Sequence, residues 1–212
     1  MVALMNRFTA LIYDRFLMGA SQQAGLAGKR RQALAAASGE VLEIGAGTGL
    51  NLAAYPRAGI TRLVCTEPNA AMSSQLEARS ADAPVAVEVV AASAERLPFE
   101  DASFDCVTGT LVLCEASSPP AALAEIARVL RPGGHYLFLE HVRSADHDQA
   151  QMQDRWAPIW RRVSGGCNCN RDTLATIESS PLTVEKAEIG RFPKAPKIVK
   201  PLLIGSAVLA AV

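Results

Sequence analysis

The chain has 212 residues, enough for one α/β domain with a substantial core and too few for two domains with linkers. Its 21 basic and 21 acidic residues balance, so no net basic field draws it to nucleic acid. Aromatic residues make up only 5%, too few for a base-stacking platform, and nucleic acid is not an expected partner.

Near the N-terminus, Leu4, Phe8, Leu11, Ile12, Tyr13 and Phe16 recur close to a helical period and predict an amphipathic helix. Arg7, Asp14 and Arg15 interrupt the stretch, so it carries no secretory signature. Residues 1–37 are expected as a helical segment lying on the domain, compatible with a lid. The Lys29-Arg30-Arg31 cluster leaves peripheral membrane contact as the alternative. Val41–Ile44 is a β-type run ending in Gly45-Ala46-Gly47-Thr48-Gly49, and Leu50–Ala54 reads as the start of a helix. Further β-type runs follow at Arg62–Thr66, Ala86–Ala91, Phe104–Thr108 and Tyr136–Glu140, with helices predicted at Ala70–Ser80 and Pro120–Leu130. Strands alternating with helices imply parallel βαβ units with helices on both sheet faces, an α/β fold. Arg131-Pro132-Gly133-Gly134 reads as the stop after the last of these helices.

Residues 143–180 show the least regular pattern, a polar stretch followed by Trp156, Pro158, Ile159, Trp160 and Gly165-Gly166-Cys167-Asn168-Cys169. They read either as a cover over an acceptor or as a segment anchored to the core by its tryptophans. Thr183–Ile189 and Leu202–Leu209 lack an intervening helix and are expected as an antiparallel closing pair. The apolar run 201–212 is too short to span a bilayer. Cys65, Cys106 and Cys114 fall in or just after apolar strands, as small core residues do. Cys167 and Cys169 have no second pair at zinc-finger spacing, so no metal site is expected. The cysteine pattern suits a reducing cytoplasm.

The glycine turn carries the chemistry. Glycine lets backbone approach a ligand without a Cβ in the way, and a following helix offers its positive end. Gly45, Gly47 and Gly49 fit G-x-G-x-G; the dinucleotide spacing would require glycine where Leu50 stands. Glu43 adds a carboxylate suited to a ligand ammonium, which a pyrophosphate would repel. Glu67, at the end of the next strand and followed by Pro68, can accept from both hydroxyls of a ribose.

This turn with Glu67 resembles motif I of the class I S-adenosylmethionine (SAM) dependent methyltransferases. Ala94-Glu95-Arg96-Leu97-Pro98-Phe99, Ser103-Phe104-Asp105-Cys106-Val107-Thr108 and Arg128-Val129-Leu130-Arg131-Pro132-Gly133-Gly134 resemble later motifs in order, covering roughly residues 38–142. Thr110-Leu111-Val112-Leu113-Cys114, Glu140-His141-Val142, Trp160, Gly166-Cys167-Asn168 and Arg171-Asp172-Thr173 are similar to the methyltransferase-like-seven group of alkyl thiol S-methyltransferases and bacterial relatives. The resemblance implies a Rossmann-like, mostly parallel seven-stranded sheet with an antiparallel last strand. It implies SAM as cofactor and S-adenosylhomocysteine as product. Glu43, Gly45, Ala46, Gly47 and Gly49 would hold the methionine part, Glu67 and Pro68 the ribose side, and Ser93, Ala94 and Glu95 the adenine. Ser93 stands where many relatives carry aspartate. Leu111 falls near the sulfonium.

His141, at the end of the fifth strand, is the candidate base, while Glu140 is expected to point into structure because neighbours on a strand face opposite ways. Tyr13, Trp156, Trp160 and Asn168 are expected on the substrate side. The expected activity is methyl transfer to a small, fairly apolar acceptor, with a thiol favoured by the resemblance. Oxygen or nitrogen acceptors on a quinone, phenol or lipid headgroup, and a SAM-binding regulator without turnover, are the alternatives.

Overall fold

The computed structural model describes residues 25–192 and 194–211. Tyr13 and most of the expected lid lie outside those residues. Five strands pair in parallel: β1 Gly39–Ile44, β2 Ile60–Thr66, β3 Val87–Val90, β4 Phe104–Thr110 and β5 Leu130–His141. β6 (Leu182–Arg191) and β7 (Pro201–Leu209) complete a seven-stranded sheet in the order β3-β2-β1-β4-β5-β7-β6, with β7 antiparallel to both its neighbours. The helices are α1 Ala27–Leu34, α2 Ala70–Arg79, α3 Pro119–Val129, α4 His147–Val163 and α5 Thr173–Glu178.

The central strands are apolar on both sides because helices cover both faces of the sheet. Leu42, Ile44, Val64, Val107, Tyr136 and Phe138 point to one face, where Leu123 and Ile126 of α3 meet them. Val41, Leu63, Cys65, Cys106 and Leu137, the alternate residues of the same strands, meet Leu34 of α1 and Leu76 of α2 on the other. Four helices begin on side-chain caps. Asn69 accepts from the Ala71 and Met72 amides, Ser118 from Ala121, Asp146 from Gln149 and Asp172 from Ala175. Pro119 follows its cap at the first helical position, where a missing N–H costs nothing.

α3 ends at Val129, directly before Arg131-Pro132-Gly133-Gly134, as expected; that segment lies within the span of β5 but out of register, since Phe104 pairs with Leu130 and the next pair is Cys106 with His135. Two expectations need correction. The helix read at Leu50–Ala54 is only a 3₁₀ turn over Leu52–Ala54, because Tyr55 before Pro56 is extended rather than helical. Residues 143–180, far from irregular, contain α4 and α5. Its buried face is Ala150, Gln153 and Ala157, too small and polar to show as an apolar stripe, and Pro158 sits within the helix. Gln153 holds α4 in place: its Nε2 donates to the carbonyls of Val142, Cys169 and Ile198, and its Oε1 accepts from the Ser144 amide.

The chain runs outward from β1 to β2 and β3, then returns to place β4 on the other side of β1. This reversal opens a crevice at the carboxyl ends of β1 and β4, where open α/β sheets bind ligands. No helix among the described residues is long and apolar enough to cross a membrane.

Closure of the far half of the sheet depends on Gly205 in β7, where a Cβ would lie 2.2 Å from the Lys186 carbonyl oxygen and 2.5 Å from Phe138 Cζ. Gly205→Ala is expected to cost about 1–3 kcal/mol through overpacking. At roughly 2–4 °C per kcal/mol for a chain of this size, calorimetry should show a clear fall in Tm. An unchanged Tm would contradict this packing.

Candidate active site

The carboxyl ends of β3, β2, β1 and β4 bring the sequence-read positions together in sheet order: Ser93, Ala94 and Glu95, then Glu67 and Pro68, then Gly45 to Gly49, then Leu111. Gly45, Gly47 and Gly49 all have positive φ, of 56°, 59° and 85°. A Cβ on Gly45 would strike Val112 at 2.9 Å, so the turn touches the loop after β4, whereas a Cβ on Gly47 would meet nothing within 4 Å. Three amides of the turn are spent inside the protein. Ala46 donates to the Thr66 carbonyl, Gly47 to Glu67 Oε2 and Gly49 to the Ala46 carbonyl. Among the described residues, the carbonyls of Gly45 and Gly47 accept no hydrogen bond. Carbonyl oxygens left without a partner, with no regular helix behind the turn, suit a cationic ligand better than a pyrophosphate. The helix end expected behind the turn is replaced by the 3₁₀ turn Leu52–Ala54.

Glu67 is buried at the crevice. Its Oε2 accepts from the Gly47 amide at 2.9 Å and its Oε1 from the Asn69 amide at 2.8 Å. A carboxylate has about four lone-pair sites, so two remain for a diol. Burial pushes its carboxyl up, against the pull of these two amides. Pro68 beside it is exposed. Ser93 and Arg96 close a turn through an amide-to-carbonyl bond; Ala94 within it is buried. Burial would raise the Glu95 carboxyl, but its own amide and hydrogen bonds from Ser117 and Ser118 hold it low. Its Oε1 thereby ties this turn to the start of α3.

Glu43 is almost fully buried and serves the turn from beneath. Asn51 Nδ2 donates to its Oε1 at 2.7 Å, and the Tyr55 hydroxyl to its Oε2 at 2.8 Å. Arg30 of α1 is buried here too, donating to Asn51 Oδ1 and Thr110 Oγ1 at 2.5 and 2.7 Å. Burial raises the Glu43 carboxyl, opposed by Tyr55, Asn51 and the Arg30 charge. The direct ammonium partner expected at Glu43 is thus already engaged within the protein, and Arg30, counted in the basic surface cluster, points inward. Asn51, Tyr55 and Arg30 escaped the sequence reading; polar residues among the first positions after the glycine turn were the available signal for the first two.

The other half of the crevice is built around the loop after β4. Leu111 has a left-handed backbone, φ 62°, uncommon for a residue with a side chain. Glu140 points into structure and accepts from the amides of Val112, Leu113 and Cys114 at 2.9, 3.0 and 3.2 Å. Arg171 Nη1 donates to the carbonyls of Leu113 and Ala116. Asn168 joins the loop to the α4–α5 connection, its amide and Nδ2 both donating to the Cys114 carbonyl. His141 is buried against Phe192, with ring centroids 5.2 Å apart, and Nδ1 faces Cys167 Sγ at 3.4 Å and Cys114 Sγ at 4.0 Å. The hydrogen bond from Cys114 and the imidazole hold the Cys167 thiol down, while Cys114, the donor, is pushed up. Trp160 packs half-buried on the apolar cluster containing both cysteines; Trp156 is 47% exposed on the outer face of α4. Both tryptophans line a groove on the outer face of α4, and of the two only Trp160 also packs on that cluster.

A family model described as a methyltransferase domain matches residues 42–138. Human thiol S-methyltransferase TMT1B is 36% identical over 181 residues, 82% of this chain and 73% of the relative. The chain belongs to the class I SAM-dependent methyltransferases. The Pseudomonas putida ubiquinone/menaquinone biosynthesis C-methyltransferase UbiE is 35% identical over 129 residues, 59% of this chain and 50% of that protein. The solved methyltransferase in complex with the Haloferax volcanii activator Trm112 superimposes with a TM-score of 0.72 at 19% identity, covering 98% of this chain and 99% of that one, and shows the shared fold.

Membership in the methyltransferase family implies SAM, and the oxygen-lined turn and half-used Glu67 fit it. Glu67→Ala should weaken SAM by tenfold or more, since hydrogen bonds to a charged group are worth roughly 1.5–3 kcal/mol each. Because burial raises the Glu67 carboxyl, acceptance is lost on acidification at a pH above the ordinary carboxylate range. Calorimetric SAM affinity should therefore fall as the pH is lowered from neutrality in the wild type, and Glu67→Gln should flatten that fall. Equal affinities at every pH would remove Glu67 from the site.

Proposed function

We propose that this methyltransferase S-methylates a small, fairly apolar thiol. The observation that carries the reading is the composition of the acceptor side. Leu50, Leu111 and Trp160 pack on a buried cluster of Leu26, Cys114, Leu139, Cys167 and Phe192, which offers apolar shape and soft sulfur to a small acceptor. The similarity to TMT1B, named a thiol S-methyltransferase, supports the same acceptor over a larger share of the chain than the similarity to the quinone C-methyltransferase.

SAM, when bound, supplies a methyl group already activated by its sulfonium. In this reading the carbonyls of the glycine turn and the network under Glu43 hold the amino-acid end, Glu67 the ribose, and the Ser93–Glu95 turn the adenine. Leu111 faces the sulfonium, and the 143–180 segment covers the acceptor. The chain's remaining work is to hold the nucleophile in line and exclude water. A thiol demands little more, because it is a few per cent thiolate at neutral pH and intrinsically nucleophilic. An alcohol or phenol would need a positioned base, and the His141 nitrogen nearest other side chains is already turned to two thiols.

Incubation with SAM and an alkyl thiol, alcohol or amine of equal chain length, with S-adenosylhomocysteine quantified, tests the reading. Product is expected with the thiol alone. Product only with the alcohol or amine contradicts it, and SAM binding without product from any acceptor favours a regulator.

A further inference from the structure

Three side chains far apart in sequence meet on the acceptor side with a geometry that packing alone does not call for. Cys114 comes from the loop after β4, His141 from the last position of β5, and Cys167 from the α4–α5 connection. Their ligand atoms all lie within 4.8 Å of one another, and all three residues are buried. Both sulfurs approach the same imidazole nitrogen, at 3.4 and 4.0 Å. Cys114 also hydrogen-bonds to Cys167, so both thiols and the imidazole form one contiguous set of potential ligands around that nitrogen. The other nitrogen, Nε2, is buried without a hydrogen-bond partner. A tetrahedral zinc ion, with bonds of about 2.3 Å to sulfur and about 2.0–2.1 Å to nitrogen, sets S···N separations of about 3.5 Å and S···S of about 3.8 Å. The two measured S···N distances bracket that value.

The supports of the three ligands are already in place. Glu140 fixes the backbone amide of Cys114, Asn168 ties the Cys114 carbonyl to the segment holding Cys167, and Phe192 packs on the His141 ring. The cluster also adjoins the cofactor half, since Leu50 and Leu111 pack on it and Val112 is the residue that a Cβ at Gly45 would strike.

We propose that Cys114, His141 and Cys167 bind a thiophilic divalent cation of the zinc class, whose fourth position takes the acceptor's thiolate. The second half of this proposal rests on the thiol reading above. Two cysteines and one histidine with an open position form a known catalytic zinc set. Binding the cation releases the two cysteine protons to solvent and changes no oxidation state. The acceptor thiol then loses its proton to solvent and displaces water from the fourth position. His141 acts here as a ligand through Nδ1, in place of the base expected from the sequence.

The test uses the full chain with cobalt(II) as the spectroscopic stand-in for zinc. One cobalt per chain is expected, with tetrahedral visible bands and a near-ultraviolet thiolate charge-transfer band, displaced by one equivalent of zinc. Cys114→Ser and Cys167→Ser should lose the charge-transfer intensity, and Cys169→Ser, two positions beyond Cys167, should retain it. SAM affinity, carried by the other half of the crevice, reports that each variant is folded. An alkyl thiol should shift the visible bands, and the alcohol of equal length should not. Absence of bound cobalt, or an unchanged spectrum in folded Cys167→Ser, overturns the site. Bound cobalt indifferent to the thiol overturns the fourth-position assignment. A thiol-induced shift with no methylated product instead contradicts the proposed function and leaves the metal site standing.

Discussion

A single buried carboxylate, Glu140, sets the shape of the β4 side of the crevice. It sits at the penultimate position of β5, with no exposed surface, and gathers the amides of three consecutive residues in the loop after β4. Burial pushes its carboxyl up to about 7, and the three amides pull the other way. An ionised carboxylate is acceptor-only, which is what three converging donors require. Leaving those donors unpaired would cost about 1–3 kcal/mol for each. That constraint fixes Leu111 in its left-handed conformation, turns Val112 against the glycine turn and delivers Cys114 to His141. Arg171 secures the same loop through its carbonyls, so it is held from both backbone polarities.

The crevice is also electrostatically unfinished. Glu43 is compensated by Tyr55, Asn51 and Arg30, whereas buried Glu67 has two backbone amides and half-buried Glu115 lies in the field of further negative groups. Glu115 is pushed to about 8 by burial and then by the charges of Cys167, Glu140 and Glu67. A carboxyl raised by burial and by neighbouring negative groups favours a ligand bringing positive charge, by the ordinary rule that an opposite charge restores the ionised form. A methyl donor carrying both a sulfonium and an ammonium answers that need. The carbonyl-lined turn makes the same selection by geometry.

Much of this was legible in the sequence because two signals are local. Continuous apolar runs mark β1, β2 and β4, and the three glycines with Glu67 mark the crevice, since turn geometry and strand-end position depend on near neighbours. The rest depended on contacts the sequence does not display. The helix α4 hides its buried face in Ala150, Gln153 and Ala157, and Pro158 argues against a helix altogether. The turn after Gly49 reads as helical until Pro56 forces Tyr55 out. Arg30 looks like part of a surface cluster but is drawn inward by Asn51 and Thr110. Cys114 resembles a core residue and Cys167 half of a C-x-C pair; only the sheet order brings them to His141.

The claim on which the account turns is that the carboxyl edge running from β3 to β4 holds the cofactor. Amide hydrogen exchange of the full chain, with and without saturating SAM, reads that edge directly. The account predicts slowed exchange confined to residues 45–50, 67–69, 93–96 and 111–116, with β6 at the far edge unchanged. Protection absent from those four segments, or centred on β6 and the outer face of α4, would contradict it.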